Sequence, residues 1–193
     1  MFILASQSPR RRELLSMLGL EFTIITADID ETMDEGLCVE DAVAEISRKK
    51  AEAVGNDHPG RLIVSADTIV TVEGKVLGKP HSQDEARAML QSLSGRSHTV
   101  MTAFCLYKDG KSETHVEKTD VVFKPLSPEE IDAYIQTGSP MDKAGAYGIQ
   151  DGAAVFVEAL RGDYYNVMGL PVYRLAGMLR EFGVEVLRTK TGA

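Results

Sequence analysis

The sequence predicts an α/β fold, a mixed central sheet flanked by helices, and three observations predict it. The chain opens as strand, turn and helix: Phe2-Ile3-Leu4, then the polar Ala5-Ser6-Gln7-Ser8, then a helix starting at Pro9. An almost continuous apolar run from Leu62 to Val72 reads as a strand covered on both faces. Tight turns at Glu73-Gly74-Lys75 and Asp109-Gly110 add antiparallel hairpins, so the sheet is mixed rather than purely parallel.

The elements follow in order. Ser8 is a good N-cap and Pro9 a good first helical residue, and the first helix runs to Leu18 and stops at Gly19. Glu21 to Ala27 reads as a strand with Phe22, Ile24 and Ile25 buried. Val39 to Val54 reads as a helix ended by Gly55, with Ala42, Val43 and Ile46 inward. The strand Arg61–Val72 turns into a return arm that Pro80 ends, leaving Lys79 at its tip. Ser82-Gln83-Asp84-Glu85 is a capping box for a helix closed by Gly95, and Ser127-Pro128-Glu129-Glu130 is another, for a helix ended by Gly138. Between them Thr99–Tyr107 and His115–Phe123 form a hairpin; with a two-residue loop, Thr99 lies opposite Asp120. Ala153–Leu160 and Tyr164–Met168 read as paired strands around Arg161-Gly162-Asp163. Gly169-Leu170-Pro171 starts the last helix, which ends at Gly183, and the polar tail from Arg188 is expected to fray.

Composition narrows the function classes. The 193 residues suffice for one large domain, or two lobes sharing a sheet, with no linker or repeat between them. A net charge of −8 argues against a nucleic-acid polymer as partner, because broad backbone binding needs a basic face. No apolar run is long enough to cross a bilayer, and Met1 leads straight into a strand with no basic region ahead of it, so no signal peptide is expected. Cys38 and Cys105 have neither metal nor redox spacing, which predicts a reducing compartment, the cytoplasm. The four histidines are scattered, without zinc-ligand spacing.

Chemistry concentrates at a few places. Arg10, Arg11 and Arg12 crowd the first turn of a helix whose dipole disfavours cations there. Together with backbone N–H groups and Ser8, they form a candidate site for a multiply charged anion such as a phosphate chain; the plain alternative is a solvated basic helix start. At about 100° per residue, only one or two of the three can face one ligand. Asp67 interrupts the apolar strand, either as a general base or metal ligand, or as a structural acid satisfied by backbone or a lysine. The acids Asp28, Asp30, Glu31, Asp34 and Glu35 form either a cation site or a solvated loop. Of the basic run Arg48-Lys49-Lys50, one lysine could reach a phosphate, as could Lys79; no P-loop spacing exists. The loop Asp142–Gly152 is glycine-rich, and Tyr147 offers a face for stacking.

These segments resemble the Maf family of nucleotide pyrophosphatases along nearly the whole chain. The matching stretches are Leu4-Ala5-Ser6-Gln7-Ser8-Pro9-Arg10-Arg11, Lys50-Ala51, Ser65-Ala66-Asp67-Thr68, Gly78-Lys79-Pro80, Leu93-Ser94-Gly95-Arg96, Met141 through Gln150 and Gly169-Leu170-Pro171. Each is weak alone; their joint order is highly specific. The resemblance implies a single Maf-like domain with two lobes around one cleft and an elongated central sheet, similar to the inosine triphosphate pyrophosphatase fold. It implies that a nucleoside triphosphate is cut to monophosphate and pyrophosphate with Mg²⁺ or Mn²⁺, and it implies a homodimer. Asp67 matches the general base, and Ser8, Arg11, Lys50 and Lys79 match phosphate-binding positions. Glu31 matches an acid near the metal, which Asp67 would share. Arg10, Thr68 and Gln150 match the branch acting on dTTP and UTP, rather than the branch acting on 7-methyl-GTP. Ser65 stands where many members have glycine. Asp67 and Thr68 are neighbours and would point to opposite faces of a regular strand, so lining one cleft requires the strand to end or bulge there. A non-catalytic nucleotide-binding regulator of cell division is the alternative reading, and a phosphomonoesterase another.

Overall fold

A computed structural model describes residues 1–34 and 36–186. The elements are β1 (Phe2–Leu4), α1 (Pro9–Met17), β2 (Phe22–Ile24), α2 (Val39–Asn56), β3 (Ile63–Val72), β4 (Lys75–Leu77), α3 (Gln83–Leu93), β5 (Ser97–Lys108), β6 (Lys111–Phe123), α4 (Pro128–Gln136), β7 (Val157–Arg161), α5 (Tyr164–Met168) and α6 (Val172–Glu181). They build one seven-stranded sheet in the order β2-β1-β3-β5-β6-β7, with β4 paired to β3. β1 runs parallel to β2 and β3, whereas β3–β4 and β6–β7 are antiparallel. This is the mixed, helix-flanked sheet that the hairpin turns predict. Both turns take left-handed dihedrals, with φ of 49° and 77° at Glu73-Gly74 and 49° and 86° at Asp109-Gly110. Among the described residues no helix is long and apolar enough to cross a membrane.

The described chain packs as two compact units. The first holds Met1–Asp67, Ala103–Val116 and the described residues from Gly169 on; the second holds Thr68–Thr102 and Glu117–Met168. In the first, Ile3, Ala5, Ala51, Val54, Ile63, Cys105 and Tyr107 form a core cluster. In the second, His98 and Tyr147 each pack edge-on against Phe123, with ring centroids 4.8 Å apart in both cases, and Tyr134 packs on Phe156 at 5.4 Å.

Several expectations are corrected. β2 is an edge strand: Phe22 is half-buried against Phe2 and Ile24 is exposed, so only Ile25 reaches the core as expected. Gly55 does not end α2, which continues to Asn56. A Cβ there would stand 2.2 Å from the Tyr107 ring, so this glycine is selected by close packing and not by a helix stop. Gly152–Phe156 is a 3₁₀ turn capped by Asp151, and the strand begins only at Val157. The segment Tyr164–Met168 is helical, because the Asp163 carboxylate accepts the Tyr165 N–H at 2.8 Å and its carbonyl accepts the Val167 N–H at 3.4 Å. The capping box at Ser127 forms in full. At Ser82 the hydroxyl caps Glu85, but the Glu85 carboxylate turns to the His81 N–H instead. The tail from Arg188 lies outside the described residues.

Candidate active site

Within the first unit, three of the residues singled out from the sequence meet at one point. The Lys50 ammonium lies 2.7 Å from Asp67 Oδ1 and 2.9 Å from Glu31 Oε2. The local sequence explains why Lys50 and not its neighbours arrives there. Arg48 is held along α2 by Glu52 at 2.8 Å and Glu45 at 4.0 Å, and Lys49 by Glu45 at 3.0 Å. Lys50 instead lies toward the buried face, between Ile46 and Val54, and is bonded to β3. Ser65, two residues before Asp67, is fully buried; its hydroxyl donates to the Ser47 carbonyl at 2.5 Å and lies 3.2 Å from the Ser47 hydroxyl. The serine in place of glycine thus pins β3 to the helix that carries Lys50.

The three arginines separate as helical geometry requires. Arg11 is buried, Arg10 half-buried and Arg12 exposed. Arg11 donates from Nε to the Gly169 carbonyl at 2.8 Å and from Nη1 to Ser6 Oγ at 3.0 Å, tying α1 to the segment ahead of α6. Burial lowers its pKa to about 10, against the opposing pull of the Asp67 and Glu31 charges, so it stays cationic at neutral pH. Ser8 occupies the N-cap position, but its hydroxyl makes no capping bond; its N–H goes to Ser6 Oγ at 3.3 Å. The serine built into the turn is therefore Ser6, which the capping rules did not single out.

Glu31 and Asp67 converge on a single cation, as a shared metal site would require. Among the described residues no group of three or more His, Cys, Asp or Glu could hold a metal ion by itself. Two hard carboxylate donors are what a Mg²⁺ or Mn²⁺ ion needs from the protein when phosphates and waters complete its shell. The residues present fit such an ion.

In the second unit, β3 continues unbroken past Asp67 and Thr68, so the strand does not end there. The two neighbours take different partners, as strand alternation dictates. The Thr68 hydroxyl lies 2.9 Å from that of Thr102, which lies 2.9 Å from the Asn166 carbonyl. Asn166 is fully buried, and its amide donates to the Val100 carbonyl at 3.1 Å and to Thr119 Oγ1 at 2.9 Å. Sequence reasoning missed Thr102 and Asn166, the latter because α5 was read as a strand. Thr99 donates to Asp120 at 2.8 Å, the cross-strand pair the hairpin register predicts.

The glycine-rich loop is held from beneath. Buried Lys143 bonds the Ser139 carbonyl at 2.5 Å and Asp142 at 2.7 Å, and it lies 3.4 Å from Asp151. Burial alone would raise the Asp151 carboxyl, but bonds from Ser139, the Ala153 N–H and Tyr134 outweigh it and hold the pKa below the ordinary value. A Cβ on Gly148 would stand 2.5 Å from Asp151 Oδ2 and 2.7 Å from Lys143 Cε, so only glycine lets the chain pass over this pair. Tyr147 is not a stacking face: it is buried and its hydroxyl lies 2.7 Å from His98 Nε2. Burial pushes its phenol far above the ordinary value. The Gly145 N–H donates to the Gly78 carbonyl at 3.0 Å, tying the loop to the arm whose next residue is the exposed Lys79. The same loop carries Gln150, whose Oε1 is buried with no hydrogen-bond partner among the described residues. Such an atom costs about 1–3 kcal/mol and invites a ligand donor.

Comparison with known proteins follows the same line. The family described as Maf-like protein matches residues 1–182. A protein of Halalkalibacterium halodurans named dTTP/UTP pyrophosphatase is 48% identical over 181 residues, 94% of this chain and 95% of that one. A protein of the same name from Bacillus cereus is 45% identical over 184 residues, 95% of this chain and 96% of its own. A solved protein from Vibrio cholerae aligns over 70% of this chain and 68% of its own at 13% identity and a TM-score of 0.33, too remote to bear on the fold.

Proposed function

The chain belongs to the Maf family, and from that premise we propose that it is a cytoplasmic nucleoside triphosphate pyrophosphatase that hydrolyses dTTP and UTP to the monophosphate and pyrophosphate. The observation that carries the reading is the meeting of Asp67, Glu31 and Lys50: an acid in an apolar strand, a second acid from a loop, and one lysine within 2.9 Å of both. A purely structural Asp67 would need the lysine and not the second carboxylate.

In this reading the whole chain works as one Maf-like domain. Asp67 takes the proton of a water that attacks the α-phosphorus, the bond to the bridging oxygen breaks, and pyrophosphate leaves. Ser8, Arg11, Lys50 and Lys79 hold the triphosphate in line, which supplies most of the rate in phosphoryl transfer. Glu31 and Asp67 hold a divalent cation, Mg²⁺ or Mn²⁺, which neutralises phosphoryl oxygens when bound. Arg10, Thr68 and Gln150 set the choice of base; the buried Gln150 Oε1 supports this, because a base that cannot donate to it leaves its cost unrelieved.

Pyrophosphate release from dTTP, UTP, dCTP and 7-methyl-GTP, each with Mg²⁺ and with Mn²⁺, tests the reading. dTTP and UTP should be the preferred substrates. Asp67→Asn should keep the fold, since its amide oxygen can still accept from Lys50, and should lose turnover by at least a hundredfold. Near-normal turnover in that variant removes Asp67 as the base. Orthophosphate as the first product would point to a phosphomonoesterase, and binding without turnover to a regulator.

A further inference from the structure

We propose that Ser6, buried in the turn between β1 and α1, is a positioning residue that fixes the orientation in which Arg11 grips the triphosphate. The inference rests on the reading of Arg11 as a phosphate ligand given above. A guanidinium is planar and presents its N–H groups in a fixed fork, so its grip depends on how the plane is turned. A single acceptor leaves that plane a choice of angles, whereas acceptors on two different nitrogens fix it. Arg11 has such a pair: Nε donates to the Gly169 carbonyl at 2.8 Å, and Nη1 donates to Ser6 Oγ at 3.0 Å. The first acceptor is backbone. The Ser6 hydroxyl is the half of the clamp that a side chain supplies, and its bond is buried and charge-assisted. The same oxygen accepts the Ser8 N–H at 3.3 Å, a longer and neutral contact.

Ser6 is itself anchored to the strand that carries Asp67. The Ala5 N–H donates to the Val64 carbonyl of β3 at 2.7 Å, and the Leu4 carbonyl accepts the Ile25 N–H at 3.2 Å. The chain just ahead of Ser6 is thus bonded on both sides. Asp67 lies three residues beyond Val64 on β3, and Ser6 is only 7% exposed. The charges of Asp67 and Glu31 both raise the pKa of Arg11 against the effect of burial, so the guanidinium stands in the field of the two carboxylates. Through one oxygen, Ser6 registers that cation against the strand of the proposed base.

A double-mutant cycle of Ser6→Ala and Arg11→Met tests this, read in KM and kcat for dTTP and in calorimetric binding of inorganic tripolyphosphate. Ser6→Ala leaves Arg11 in place but unaligned. It should raise KM about tenfold with kcat changed less than about threefold, and weaken tripolyphosphate binding about tenfold. In the Arg11→Met background it should change KM and binding by less than about twofold.

A merely structural serine would lower Tm and leave KM and tripolyphosphate affinity where they were, and that outcome overturns the inference alone. Equal losses in both backgrounds would mean that Ser6 does not act through Arg11, which overturns it as well. If the alanine variant does not fold, Ser6→Cys gives the same reading, because it is close in size and its sulfur accepts weakly. If Arg11→Met does not fold, Arg11→Lys takes its place, because an ammonium has no plane to align. Unchanged KM and binding in the Arg11 variant alone, or a wild-type protein that neither binds tripolyphosphate nor turns over dTTP, overturns the phosphate reading and the inference with it.

Discussion

Lys50 holds together the two carboxylates that we propose take a divalent cation, and replacing it with methionine exposes what that arrangement costs. The side chain is 14% exposed, Asp67 18% and Glu31 59%, so the two contacts weigh differently. Glu31 is well solvated, and its pair contributes about 0–1 kcal/mol after screening. Asp67 is mostly enclosed, and losing a charge-assisted bond there costs about 1.5–3 kcal/mol. Methionine is one atom shorter but of similar volume, so packing changes little. The sum is a loss of roughly 2 kcal/mol, or a fall of about 4–8 °C in Tm for a chain of this size. The same change removes the protein's own cation from between two acids, so Mn²⁺ titrated without nucleotide should bind more tightly to Lys50→Met than to wild type. Calorimetric titration and the Mn²⁺-induced rise in Tm both read this. Unchanged or weaker Mn²⁺ binding in the variant, with Tm lowered as expected, would refute the idea that lysine and metal compete for these carboxylates.

Two further outcomes follow from packing and burial. Gly55→Ala gains about 1 kcal/mol of helix propensity, yet its Cβ overlaps the Tyr107 ring at 2.2 Å; overpacking of about 1–3 kcal/mol or more outweighs the gain. Thermal melting should show Tm lowered by several degrees, partly restored by adding Tyr107→Leu, and a raised Tm would contradict the packing argument. His98 is buried beside Tyr147, and burial lowers its pKa from 6.5 to about 4, with Asp120 pulling the other way. The unfolded chain then binds the extra proton between these values. The stability contributed by the neutral ring is complete above pH 6.5 and is lost as pH falls toward 4, up to about 3 kcal/mol. Denaturant midpoints across that range should fall more steeply in wild type than in His98→Gln, and parallel slopes would show that the ring is not buried neutral.

What the sequence made legible was local or periodic. The hairpin turns, the capping serines Ser82 and Ser127, the Thr99–Asp120 register and the covered strand Ile63–Val72 all depend on residues a few positions apart, or on a two-residue loop that fixes the pairing. What stayed hidden depends on contacts between segments distant in sequence. Gly55 reads as a stop until Tyr107 is brought against it from β5. Tyr147 reads as a ligand face until His98 and Phe123 enclose it. Asn166 reads as a strand residue until Asp163 caps the turn that buries it.

Lys50 falls between these cases and shows where the local reading could have gone further. Arg48, Lys49 and Lys50 look equivalent as a basic run. On a helix, however, a cation is answered first by acids three or four residues away. Arg48 and Lys49 both have Glu45 and Glu52 at those spacings; Arg48 pairs with both and Lys49 with Glu45. Lys50 has Ile46, Ser47, Ala53 and Val54 there, with no acid among them, and Ile46, Ser47 and Val54 are buried. A cation so flanked lies at the margin of the buried face, where leaving its charge unpaired is costly. It must find its carboxylate on another element, and the apolar strand with a lone acid, Asp67, is the place where a carboxylate has the same need. The two anomalies predict each other, and their 2.7 Å contact follows from the sequence once they are read as one problem instead of two.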